Sequence, residues 1–346
     1  MKDELSRVPS ANAAGVGSVP SAWEPAVSVV VPAYNAAAHV GEALSSVFAQ
    51  TFRGFEVIVV NDGSPDTPEL ERVLAGFGPR VLYVRQENAG PSAARNAGVR
   101  RAAGAFVAFL DADDAWEPDY LAEQLKAFDS DASLDAVYAD ALIVGETVLA
   151  GKTFMQCSPS RGEVTVEALL REDCTVLTSC VVARRDALLR AGLFDERFRR
   201  AEDFDLWVRL VHGGARVSYQ RKVLARHRRH GRSLTSDFMP MYESQLEVFA
   251  KLRDLLRADA RLHALAAERL RRCEAEMSFE RGKREFVRGR FGEATRSLAR
   301  ANEFFRSPKL GLALLLLRAG LARPLRRAYL ARHRSSPADA VTALRT

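Results

Sequence analysis

Phe106-Val107-Ala108-Phe109-Leu110-Asp111-Ala112-Asp113-Asp114 is the stretch whose reading decides the fold. Its apolar half has no polar relief and predicts a strand buried on both faces, as in a parallel sheet. Three carboxylates then crowd the C-terminal end of that strand. Two like charges about 4 Å apart cost about 1 kcal/mol in water and about 4 kcal/mol at a protein-like dielectric. A hard cation reverses the penalty, because Mg2+ or Mn2+ prefers carboxylate oxygens and keeps places for water and phosphate oxygens. Strand ends are also where open α/β sheets hold their ligands. The cluster points to a metal–phosphate site, against the alternative of a solvated acidic turn capping a helix that starts near Glu117.

Upstream, Val27-Ser28-Val29-Val30-Val31 reads as a buried strand stopped by Pro32, with Tyr34 and Asn35 in the turn. An Ala-rich helix is expected over 36–50, then a buried strand over 55–60 that ends in Asn61-Asp62-Gly63-Ser64-Pro65. A short strand over 81–84 leads into Asn88-Ala89-Gly90-Pro91-Ser92-Ala93-Ala94-Arg95-Asn96-Ala97-Gly98, where Pro91 suits the first position of a helix. Strands alternating with helices imply parallel βαβ units with right-handed crossovers. No GxGxxG follows the first strand, which disfavours a dehydrogenase. A nucleotidyltransferase would need a Gly-rich basic loop near the N-terminus, and the sequence has none.

Taken in order, Pro32-Ala33-Tyr34-Asn35, Asn61-Asp62-Gly63-Ser64, the Gly90 to Asn96 segment and Asp111 to Asp114 resemble the successive motifs of the family 2 glycosyltransferases. Gly192-Leu193-Phe194-Asp195-Glu196, Ala201-Glu202-Asp203-Phe204-Asp205-Leu206-Trp207-Val208-Arg209 and Arg228-Arg229-His230-Gly231-Arg232-Ser233 extend the likeness, which covers about residues 26–236. The resemblance implies the GT-A fold, a Rossmann-like mixed sheet flanked by helices, and inverting transfer from a nucleotide-diphosphate sugar. A UDP-sugar donor rests on the resemblance alone. The acceptor it implies is a glycan or lipid-linked saccharide of the cell envelope, and the donor sugar a hexose or N-acetylhexosamine.

Site roles follow from chemistry and resemblance together. Asp62, before a permissive Gly63, either accepts a hydrogen bond from a base or ribose or closes an Asx-turn. Tyr34 offers a ring to a base while Pro32 fixes the approach of the chain and Asn35 follows in the turn. Arg95 either reaches a base carbonyl or phosphate or is a solvated helix residue. By the resemblance, Asp113 and Asp111 bind Mn2+ or Mg2+ with His230 from a mobile loop, and Arg228 stands nearby on the donor. His227 occupies a place where the family commonly has Tyr. An acceptor hydroxyl must lose its proton as it attacks, so a carboxylate is needed within reach. The resemblance makes Asp203 that base and Glu202 its positioning neighbour; the local alternative is that both favour a helix N-terminus. A non-catalytic nucleotide-sugar-binding scaffold is the rival reading, and it has no need of both Asp113 and Asp203.

The chain has 346 residues, enough for a domain of about 230 and an appendage. Residues 1–25 are rich in Ala, Ser, Gly and Pro without periodicity and read as a disordered leader, not a signal peptide. Four scattered cysteines without CxxC spacing imply free thiols in a reducing, cytoplasmic setting. Over 237–346 Leu, Ala, Arg and Glu recur at helical spacing, with breaks expected near Pro308 and Pro324. Residues 282–301 loosely resemble one tetratricopeptide-like helical pair. The apolar run 310–317, followed by arginines, suits either a buried helix or one lying on an anionic membrane, at the inner face of the cell membrane. The net charge of +6 is spread along the chain with no nucleic-acid motif.

Overall fold

The computed structural model of the protein describes residues 24–229 and 238–332. The chain divides into two compact units, Met1–Ser236 and Asp237–Thr346. In the first, the apolar runs become β1 (Val27–Ala33), β2 (Phe55–Asp62), β3 (Val81–Gln86) and β4 (Phe106–Phe109). All four are parallel, with β1 between β2 and β4. Crossovers are made by α1 (Val40–Phe48), α2 (Thr67–Ala75) and α3 (Pro91–Arg101). The chain continues through β5 (Ala115–Trp116), α4 (Tyr120–Ser130), β6 (Ala136–Gly145), α5 (Phe154–Cys157), α6 (Val166–Leu170), β7 (Val181–Arg184), α7 (Arg185–Arg190), α8 (Glu202–His212) and β8 (Val217–Arg229).

One sheet takes all of these strands in the order β3-β2-β1-β4-β7-β6-β8-β5. It is mixed: β7 runs antiparallel to both β4 and β6, while β6 and β8 pair in parallel with a bulge at Asp140. The path goes outward from β1 to β3 and returns to β4 on the other side of β1. That reversal opens a crevice at the carboxyl ends of β1 and β4, where such sheets receive ligands. The strands that flank it are apolar on both faces, with Val29, Val30, Val31, Ile58, Val59, Ala108 and Phe109 fully buried. Close helix packing helps: a Cβ on Gly98 of α3 would lie 2.3 Å from Val30 Cγ1 of β1.

Local details differ from the sequence expectation for physical reasons. Pro32 lies within β1, which continues to Ala33. Val30 accepts from Leu110 N–H, so Pro32, two residues on, turns its missing donor to the side where β4 pairing has ended. The first helix begins only at Val40, after turns closed by His39 N–H and Val40 N–H on Ala36 O. No helix starts at Glu117, because Ala115 and Trp116 pair with β8 and α4 begins at Tyr120. Gln50 ties this region to α1: its amide donates to Glu117 O and accepts from Leu121 N–H.

The second unit is helical: α9 (Phe238–Leu255), α10 (Ala260–Val287), α11 (Phe291–Phe305), α12 (Pro308–Arg318) and α13 (Ala322–Arg332). α10 and α11 form a hairpin turned at Gly289, whose φ is +80°. A Cβ on Gly282 would meet Leu298 Cγ at 2.6 Å, so the two helices cross closely there. Pro308 opens α12 behind the Ser307 cap. The second expected break falls at 319–321, between α12 and α13, and Pro324 just beyond it sits in the first turn of α13, where an N–H has no intrahelical partner to lose. The four cysteines are free thiols, and Cys180 is fully buried.

Candidate active site

The carboxyl ends of β1 to β4 lie along the crevice. At the end of β1, Tyr34 is 55% exposed, and Asn35 adopts φ +52° while its N–H donates to Ser64 Oγ at 2.6 Å. At the end of β2, the buried Asn61 closes the turn: its Oδ1 accepts from Ser64 N–H and its amide donates to Thr67 and Tyr83. Asp62 is also buried. Its Oδ1 accepts from Gln86 Nε2 and Ala89 N–H, and its Oδ2 from Gly90 N–H. The carboxylate thus holds the segment before α3, leaving little of its accepting capacity for a ligand. Gly63 allows that approach, since a Cβ there would lie 2.6 Å from Asn88 N and its φ is +63°.

The acidic turn after β4 does not hold its carboxylates together. Asp111 accepts from Arg95 Nη2 at 2.7 Å and is anchored by its own N–H to Ser179 Oγ. Asp114 is buried and turns toward β8, accepting from Arg228 N–H at 2.8 Å and meeting His227 Nδ1 at 3.1 Å. Asp113 lies between them, partly exposed. The expected crowding of like charges is relieved because Asp111 and Asp114 turn to different partners, which the linear sequence does not display. His227 loses charge to burial, but the hydrogen bond and charge of Asp114 outweigh that and raise its pKa. Arg228 donates from Nε to Asp113 O and from Nη2 to Glu42 Oε2 at 2.6 Å. It braces the acidic turn against α1.

Arg95 is the centre of the site. Instead of pointing to solvent it is buried, with Nη1 on Glu202 Oε1 at 2.6 Å and Nη2 on Asp111 Oδ1 at 2.7 Å. Its guanidinium carbon stands 5.4 Å from the Phe194 ring centroid. Burial disfavours its charge, and Asp111 and Glu202 more than restore it. Its neighbours on α3 hold the same distant segment: Ser92 Oγ donates to Phe198 O, and the Asn96 amide bonds both N–H and C=O of Phe194. The stretch that reads as a donor-side motif is therefore also the clamp that seats α8.

Glu202 and Asp203 open α8 after Ala201, which takes φ +55°. Both lie in the first turn of α8. Asp203 Oδ1 accepts from Phe204 N–H and Oδ2 from Thr178 Oγ1 at 3.2 Å. Burial raises the pKa of both carboxyls, and Arg95 only partly opposes it. Further along α8, buried Asp205 pairs with Arg209, whose Nη2 donates to Leu193 O at 2.7 Å. That pair secures the turn at Gly192 and Leu193, which have φ +82° and +61°.

Among the described residues no three His, Cys, Asp or Glu side chains gather as a metal-ligand set. His230, expected as the third ligand, lies outside the described residues. The donor chemistry still fits a magnesium-like ion, which binds through one or two carboxylates and completes its shell with phosphate and water. Asp113 and the Asp111 oxygen not taken by Arg95 are such groups. Thr178 and Ser179, which reach Asp203 and Asp111 from the short turn Thr178–Cys180, are site residues that sequence reading missed. Their only signal is polarity inside an apolar run.

Comparison with known proteins agrees with this geometry. Residues 28–193 match the model of glycosyl transferase family 2. An uncharacterized glycosyltransferase of Rickettsia prowazekii is 28% identical over 237 residues, covering 66% of this chain and 71% of its own. Glycosyltransferase GlyA of Streptococcus pneumoniae is 43% identical over 96 residues, 28% of this chain and 14% of its own. Among solved structures, S. aureus TarS 1-349 in complex with UDP superposes with a TM-score of 0.56 at 21% identity, over 90% of this chain and 92% of that one. The mannosyltransferase PcManGT of Pyrobaculum calidifontis, in complex with GDP-Man and Mn2+, gives 0.55 at 22% identity over 93% and 87%. The sheet order, the acid-tipped strands and these likenesses agree: the chain has the GT-A fold, and its residues 28–193 match a family 2 glycosyltransferase domain.

Proposed function

We propose that the protein is an inverting glycosyltransferase using Mn2+ or Mg2+, a nucleoside-diphosphate sugar (a UDP-sugar first) and a hydroxyl acceptor on a glycan or lipid-linked saccharide. The observation that carries this reading is the double pairing of Arg95 with Asp111 and Glu202. It ties the acid at the end of β4 to the head of α8, so donor end and base end share one buried partner. In the reaction the acceptor oxygen bonds to the anomeric carbon as the bond from that carbon to the diphosphate oxygen breaks. The bonding pair leaves with the nucleoside diphosphate, and the hydroxyl proton passes to Asp203. Burial makes Asp203 a stronger base than a surface aspartate.

Asp111 and Asp113 would hold the cation, which when bound offsets the negative charge of the diphosphate. Tyr34 offers the exposed ring for the nucleobase, beside Pro32 and Asn35. Glu202 holds the head of α8 through Arg95. The solved relatives that carry UDP or GDP-Man with Mn2+ support a nucleotide-sugar donor on this fold.

Titration calorimetry with UDP, GDP and dTDP, each with Mn2+ and with chelator, tests the reading. Metal-dependent binding of one nucleotide, followed by transfer or slow hydrolysis of its sugars, supports it. Failure of all three to bind would favour a scaffold built on the same domain.

A further inference from the structure

We propose that α12 and α13 form a surface that docks on an anionic lipid bilayer. The helical unit alone carries this inference, which does not depend on the transfer reaction. α12 reads Pro-Lys-Leu-Gly-Leu-Ala-Leu-Leu-Leu-Leu-Arg, yet only Leu314 among its leucines is buried. Pro308, Leu312, Leu315 and Ala319 are exposed at spacings of four, three and four, which is one stripe along a helix. Leu312 is 60% and Leu315 66% exposed, and Leu321 just beyond is 46% exposed. α12 packs on α11 through its other side. α13 is fixed as well: Tyr329 meets the Phe286 ring edge-on at 5.9 Å, and Arg326 Nε donates to Val287 O at 2.7 Å. The apolar stripe therefore stands on a secured hairpin.

Charge identifies the occupant. Between residues 304 and 332 the chain has seven basic residues and no acidic one. Lys309 and Arg318 bracket the leucines, and Arg323 and Arg327 follow on α13. A protein partner would have to bring acidic groups matched to each arginine as well as a groove for the leucines. A bilayer with anionic headgroups offers smeared negative charge above an apolar layer, and needs no such register. Spanning is excluded by length: a bilayer needs about twenty apolar residues, and no described helix is long and apolar enough to cross a membrane. The helix lies along the surface, its leucines in the acyl boundary and its arginines at the phosphates.

Co-sedimentation of the full-length protein with phosphatidylcholine vesicles, with and without phosphatidylglycerol, tests the assignment at low and high salt. The expected result is binding to the anionic vesicles alone, weakened by salt. Leu312→Glu with Leu315→Glu should lower partitioning about tenfold or more. Arg318→Glu with Arg323→Glu should do the same by charge alone. All four side chains are exposed, and circular dichroism with an unfolding midpoint checks that each variant folds. Equal binding to neutral vesicles, no binding at all, or wild-type partitioning of both double variants would overturn the proposal. So would light scattering in which the leucine variant turns a dimer into a monomer with no vesicle binding, which would assign the face to a second copy.

Discussion

Arg95 Nη1 and Glu202 Oε1 meet at 2.6 Å across 107 positions of the chain, with side chains 7% and 9% exposed. The same guanidinium holds Asp111, so the acid at the end of β4 and the helix that bears Asp203 are set by one residue. Buried pairs of this kind contribute little net stability over apolar packing, but removing one partner strands a charge. That asymmetry governs what substitutions at the site do.

Arg95→Met should destabilise the protein by about 3–5 kcal/mol, because Glu202 is left as a buried carboxylate without its partner. Glu202→Gln keeps a hydrogen bond to Arg95 and should cost less, about 1–3 kcal/mol. Urea unfolding of both variants measures the difference. Equal costs would mean that the guanidinium acts by packing alone.

Asp203→Asn should lower kcat by about 10²- to 10⁴-fold, the usual worth of a general base, while leaving nucleotide affinity nearly intact. Steady-state kinetics beside calorimetry separates the two. Loss of nucleotide binding as well would make Asp203 structural, through Thr178.

Burial lifts Glu202 and Asp203 above the ordinary 4.5 and 3.8, and the consequences for rate and stability have opposite signs. A base must be unprotonated, so transfer falls as pH drops through the raised Asp203 value, placing the acid limb of kcat/KM above the ordinary aspartate range. Between ordinary and raised values the folded state keeps protons that the unfolded state has released. Stability contributed by these groups is therefore greatest at low pH, declines as pH rises across that window, and levels off above it. Urea unfolding at stepped pH, wild type against Asp203→Asn, checks this. The wild type should lose ground to the variant as pH rises; a constant gap would refute the linkage.

If Asp113 holds the cation as proposed, Asp113→Ala should weaken nucleoside-diphosphate binding in Mn2+ or Mg2+ and change nothing in chelator. Calorimetry in both buffers decides. A loss that persists in chelator would remove Asp113 from the ligand set.

Gly63→Ala should cost about 1–3 kcal/mol, combining a left-handed φ with a clash on Asn88 N. The thermal midpoint reports it, and the donor KM should rise as Asp62 loses its grip on Ala89 and Gly90.

The parts of this molecule legible in the sequence are those set by local pattern. β1, β2, β3 and β4 announce themselves as apolar runs, two of which lead straight into Asp-bearing turns, and Pro91 marks the start of α3. Glu202 and Asp203 stand at the head of an amphipathic helix that its periodicity predicts. What was not legible depends on register between distant segments. Nothing in Thr178-Ser179 says that 68 residues earlier Asp111 will find Ser179 Oγ. The separate directions of Asp111 and Asp114 follow from α3 on one side and β8 on the other. Asp62 as the holder of 86–90 likewise depends on how β3 leaves the sheet.

The long reach of the Arg95–Glu202 pair also orders the assembly of the chain. A polypeptide emerging from the ribosome completes β1 through β4 roughly a hundred residues before Glu202 exists. Until then Arg95, Ser92 and Asn96 face no partner on the 194–202 segment, and α3 carries a cation that only Asp111 can balance. Contacts this remote in sequence close slowly, because loop entropy must be overcome before they form. The docking of α8 on α3 therefore belongs to the late, long-range closures of the first unit, together with the entry of β8 between β6 and β5. A chain stopped before residue 202 has the strand-end acids Asp111, Asp113 and Asp114 but no head of α8 to pair with Arg95.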